Sequence, residues 1–152
     1  MRNFKFLSLS FTLALAAVSL AGQSEKPNLS GTWQMDAAKS DNKSGKIVDA
    51  TWVIEESDNS IHLTQSEGAG RTKKLELKCS TDGKECSVSG EKAKASFWYN
   101  GPMLVEMETR GDHVTRYRLK LSPDGKTLSV EVTELVPASD KSDNLVFAKS
   151  ST

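Results

Sequence analysis

Few residues in this chain have types and spacings that could do chemistry. There are two histidines, His62 and His113, and two cysteines, Cys79 and Cys86. His62 lies between Ile61 and Leu63, so in a strand it points to the polar face; His113 sits beside a Gly111-Asp112 turn. Neither has a Cys or carboxylate at metal-ligand spacing, and neither follows a nucleophile motif, so both read as surface histidines. The carboxylates Glu55 and Glu56 are sequence neighbours and fall on opposite faces of a strand, which excludes an acid/base pair. Gly68-Ala69-Gly70-Arg71 is glycine-rich but lacks the Lys-Ser/Thr of a phosphate loop. No catalytic residue, metal site or cofactor is expected.

The cysteine pair has a different meaning once the N-terminus is considered. Arg2 and Lys5 precede an apolar run from Phe6 to Leu20, about the length of a signal-peptide core and short of a membrane span. Ser19-Leu20-Ala21 provides small residues for cleavage, so residues 1–21 read as an export signal and 22–28 as a flexible polar lead. The expected location is the periplasm or the extracellular space, with no stable membrane insertion after cleavage. In that setting Cys79 and Cys86 read as a disulfide. The 20 basic and 20 acidic residues of the chain become an acidic excess of two once Arg2 and Lys5 are removed. So balanced a charge disfavours nucleic acid as a partner.

The remaining chain, 29–150, reads as one domain. Apolar and polar residues alternate with period two in nine or ten short stretches, separated by Asp-Asn, Asp-Gly, Gly-Pro and Gly-Asp turn signals. The only helical candidate is a single turn from Asp36 to Ser40. Two registers follow from the pattern. Cys79 opposite Cys86 sets Leu77 opposite Val88, and Leu121 opposite Leu128 sets Leu119 against Val130 and Tyr117 against Val132. Met103, Val105 and Met107 alternate with charge, which predicts that they face inward with Tyr117 and Leu119. Glu106 and Glu108 would then face outward, toward Arg118 and Arg116. Phe97 and Tyr99 are taken as inward, leaving Trp98 as an exposed aromatic. Consecutive antiparallel hairpins expose edges unless the sheet closes, so an up-and-down β-barrel of eight to ten strands is expected.

Leu29-Ser30-Gly31-Thr32-Trp33 resembles the Gly-x-Trp opening of lipocalins and related calycin barrels. Together with Ala38-Lys39-Ser40, Leu121 to Leu128 and Val146-Phe147-Ala148-Lys149, it is similar to a group of secreted bacterial lipocalin-like proteins of uncharacterised function. The resemblance implies that Trp33 closes one barrel end under a basic residue of the last strand, here Lys149. It also implies a small apolar ligand, for which Trp52, Tyr99, Met103 and Tyr117 are the candidate contacts. The same inner residues would suit a filled core, in which case the domain would be a structural or protein-interaction module with no partner named by the sequence.

Overall fold

The computed structural model describes residues 26–68 and 73–151. The expected signal segment and residues 22–25 of the lead lie outside them. Ten strands form a closed antiparallel up-and-down barrel. In chain order they are β1 (Gly31–Met35), β2 (Thr51–Ser57), β3 (Ser60–Glu67), β4 (Lys73–Ser80) and β5 (Asp82–Ser89). Then come β6 (Ala93–Asn100), β7 (Met103–Arg110), β8 (His113–Leu121), β9 (Thr127–Val136) and β10 (Ser142–Lys149). Each strand pairs with its sequence neighbour, and β1 closes the circle on β10. Asp36 to Ser40 forms a turn rather than a helix, with the Lys39 amide donating to the Asp36 carbonyl at 3.2 Å.

The barrel has a base, where β1 begins, and a mouth, where β1 ends. The base is filled. Trp33, Ile54, Leu63, Leu77, Leu119 and Leu128 are among its fully buried side chains. Residues 26–28 run across the base, and Leu29 plugs it. The Leu29 amide donates to Glu56 at 2.6 Å, and the Leu29 carbonyl accepts from Trp33 Nε1 at 2.9 Å. Lys149 stands opposite Trp33 in register, with its Nζ 5.3 Å from the indole centroid.

The registers expected around Leu77–Val88 and Leu121–Leu128 are those of the structure. Cys79 and Cys86 form a disulfide, their Cα atoms 5.5 Å apart.

The parity expected for β7 is overturned. Two-residue turns close both of its hairpins, pairing Asn100 with Met103 and Arg110 with His113. Gly101 (φ 58°) and Gly111 (φ 63°) take the first turn position, where a tight hairpin turn requires positive φ. These turns place Glu106 between Phe97 and Tyr117, and Leu104 beside Leu119. Directly opposed residues share a face, so Leu104, Glu106 and Glu108 point inward. Met103, Val105 and Met107 point outward, opposite Lys120, Arg118 and Arg116. The expected ion pairs of Glu106 with Arg118 and of Glu108 with Arg116 therefore do not form. Arg118 pairs with Glu131 instead. Val105 is nonetheless only 5% exposed. Its outer-face neighbours, Trp98 and Arg118, are large enough to cover it, and Trp98 is half-buried rather than exposed.

Candidate functional site: a cavity at the barrel mouth

The β1–β2 connection, residues 36–50, crosses the mouth. It is tied down at several points. Asp143, at the start of β10 and 6% exposed, accepts from the Ser44 amide at 2.9 Å and from the Ser44 hydroxyl. Asn42 donates to the Ile47 carbonyl, and Lys46 pairs with Glu134 at 3.0 Å. These contacts hold the Ile47 side chain down into the barrel, where it is buried.

Beneath this connection the interior is not filled. Two adjoining hollows of about 270 and 300 Å³ share Lys46, Ile47, Thr115, Tyr117 and Glu134 as walls. Val132, Lys141 and Asp143 help complete the first; Gln65, Lys73, Leu75, Glu108 and Arg110 help complete the second. The walls thus combine apolar patches with a charged rim. Arg110 donates to Glu108 at 3.0 Å and pairs with Glu91. His113 shares a hydrogen bond of 2.8 Å with Glu134. Hydrogen bonds from His113 and then Lys46 hold the Glu134 carboxyl below its usual range.

Deeper groups behave differently. Glu106 is fully buried, and neither of its carboxyl oxygens has a hydrogen-bond partner. Burial, reinforced by the negative charge of Glu108, pushes its pKa up to about 8. Burial also raises Glu67, with Glu108 adding to the rise and Lys73 opposing it. Tyr117 is held as the neutral phenol by burial and then by the charge of Glu106 and Glu108. Trp52 Nε1 is likewise buried without a hydrogen-bond partner.

Of the four residues expected to contact a ligand, two come together. Tyr117 lines both hollows, and Trp52 meets it edge-on with ring centroids 6.5 Å apart, backed by Phe147 at 4.7 Å. Tyr99 faces inward but lies at the base, where its hydroxyl donates to Glu56 and Lys26 stands 4.8 Å over its ring. Met103 lies on the outer face. His62 is outward, as read from the sequence, and bridges Glu55 and Glu76 at 2.8 Å each. The residues missed were Glu106 and Glu108. Counting across the two short turns from the inward Phe97 would have found them.

No protein-family model and no curated protein matches the sequence. Solved structures do. The fluorescent protein UnaG superposes with a TM-score of 0.62 at 17% identity, covering 80% of this chain and 96% of its own. Echinococcus granulosus fatty-acid-binding protein 1 gives 0.62 at 12% identity, covering 80% and 97%. A Schistosoma mansoni fatty-acid-binding protein in complex with arachidonic acid gives 0.63 at 15% identity, covering 86% and 100%. The shared fold is a closed antiparallel β-barrel. At these identities the likeness establishes architecture alone. The up-and-down barrel implied by the resemblance read from Gly31-Thr32-Trp33 is the fold observed.

Proposed function

We propose that this chain is an exported, non-catalytic binding protein that holds a small, largely apolar ligand in the mouth half of its barrel. The observation that carries this reading is the pair of adjoining hollows under Ile47, with Tyr117 at their floor. The larger, about 300 Å³, stands at the lower bound of small-molecule sites, ~300 Å³, and the smaller adjoins it. The barrel's likeness to fatty-acid-binding proteins supports it. The Cys79–Cys86 disulfide is compatible with export.

Native mass spectrometry of protein purified from its own host tests carriage. A bound mass that organic solvent releases is the expected result. Its repeated absence, with no change of tryptophan fluorescence when lipids are added, would contradict it. Export is tested separately: the secreted protein should lack Arg2, and a mass that retains it would reject cleavage.

A second reading, a structural or interaction module, draws on the filled base. It requires that closing the mouth cavity by substitution leave every biological activity unchanged.

A further inference from the structure

The reversed parity of β7 changes the outer wall of the barrel as much as its interior. With Glu106 and Glu108 turned inward, the outer faces of β6 to β10 keep one carboxylate, Glu131. The cations stay outside. Arg116, Arg118 and Lys120 alternate along β8 and share the outer face. Glu131 serves both guanidinium groups, pairing with Arg118 and lying 3.9 Å from Arg116. Lys120 is exposed, and its in-register neighbours, Met103 and Ser129, carry no charge. Lys94 on β6 is met by Glu85 across the β5 seam. Three β8 cations against one carboxylate leave this wall an excess of two positive charges. The opposite wall is even. Outer faces of β2 to β4 set Glu55 and Glu76 against Lys74 and Lys78, with His62 between the two carboxylates. A chain of balanced total charge therefore carries one biased wall.

Apolar groups fill the places the two glutamates vacate. Trp98, Met103 and Met107 are half-buried on this wall, around the covered Val105. Each β8 cation stands beside one of them: Arg116 beside Met107, Arg118 beside Val105 and Trp98, Lys120 beside Met103.

Shape narrows the partner. A closed barrel has no free strand edge for a peptide to extend. Its outer wall is convex, so a helix finds no groove there. A second copy would bring like charges together. A bilayer surface yields to a convex wall, takes an indole at headgroup level and supplies anionic phosphates to guanidinium and ammonium groups.

We propose that the wall centred on β7 and β8 docks the barrel on the surface of an anionic lipid bilayer. Arg116, Arg118 and Lys120 meet the headgroups, and Trp98 and Met103 settle between them. Docking of this kind needs no ligand in the mouth cavity, so it stands apart from the carriage reading.

Flotation of the disulfide-intact protein with vesicles tests it, using phosphatidylcholine alone and phosphatidylcholine mixed with an equal part of phosphatidylglycerol. Binding to the anionic vesicles should be at least about tenfold tighter, and rising salt should weaken it. Arg116→Gln with Lys120→Gln should lower that affinity about 30-fold, at about fivefold per charge. Lys74→Gln with Lys78→Gln removes the same charge from the opposite wall and should leave affinity unchanged. Lys120→Glu, at an exposed position, should match the first pair and reads the same contact if Arg116→Gln does not fold. Trp33 and Trp52 are buried, so Trp98 reports the contact. Brominated lipid should quench its fluorescence, and Trp98→Phe should abolish that quenching. Equal binding to both vesicles, binding to neither, or equal losses in the two double variants would each overturn the proposal. A DNA duplex bound as tightly as the anionic vesicles would overturn it too, in favour of a general polyanion site.

Discussion

Lys149 lies over the face of Trp33, and Gly31 is the position that makes room for it. A Cβ at Gly31 would come 2.5 Å from Lys149 Cε, and the backbone there has φ near +149°, which side chains rarely adopt. The Gly-x-Trp spacing is thus a steric requirement of the cation that covers the indole. Gly31→Ala is expected to destabilise the fold by about 1–3 kcal/mol, from backbone strain and displacement of Lys149. Lys149→Met should cost less, about 0.5–1 kcal/mol, because only the cation–π contact goes. Urea denaturation of both variants measures the difference. Glu106 has a different signature. Its folded pKa, about 8, lies above its unfolded value near 4.5. Between those values the folded state binds the extra proton, so stability falls as pH rises from about 4.5 through 8. Glu67, also raised, contributes in the same sense. Glu106→Gln should therefore flatten most of that fall and leave the protein more stable than the unsubstituted chain at pH 8. An unchanged pH profile would show that Glu106 has a partner.

The seams between strands are not equally strong. β8 and β9 pair along nearly their whole length, whereas β4 and β5 are paired only at Glu76–Ser89 and Leu77–Val88. The Cys79–Cys86 disulfide closes the far end of that short ladder. Replacing both cysteines by serine should cost about 2–3 kcal/mol, from the loop-closure entropy returned to the unfolded chain. Hydrogen exchange should quicken first at Leu77 and Val88, while Leu119 and Val130 stay protected; uniform quickening would contradict a local seam. All ten strands could be read from the sequence, Met103–Arg110 among them. The inward face of β7 could not. Met103, Val105 and Met107 form an apolar row on the outer face, while its inner row carries two glutamates. A binary pattern inverted on one strand misleads any reading by periodicity, and such inversions concentrate at sites where stability has been given up for another use. The turns still held the information. Gly101-Pro102 and Gly111-Asp112 are each two residues long, and that length sets the parity of every residue on the strand between them.

The molecule as a whole is a barrel of two halves. Its base is packed with aromatic and aliphatic side chains and capped by Leu29 and Trp33. Its mouth is spanned by residues 36–50, with the partly open cavity beneath them. The closed base was legible through the family resemblance, which implies that Trp33 closes one barrel end under Lys149; the structure sets Lys149 over the indole. The cavity was not, because a list of inward residues does not say whether they meet in the middle. The charged character of the cavity was hidden with β7, so a pocket whose polar groups were tyrosine hydroxyls was expected where one with carboxylates and cations exists. Thr115 on β8 gives the most direct access to the central claim. Its side chain lines both hollows, and its in-register neighbours are Glu108 and Glu134. A tryptophan at this position would fill the space without touching the base. The decisive measurement is the dissociation constant of an apolar fluorophore for the unsubstituted protein and for Thr115→Trp, with thermal melting followed in parallel. If the mouth cavity is the binding site, affinity drops at least about tenfold while the melting temperature holds. Unchanged affinity in a folded Thr115→Trp would contradict the account.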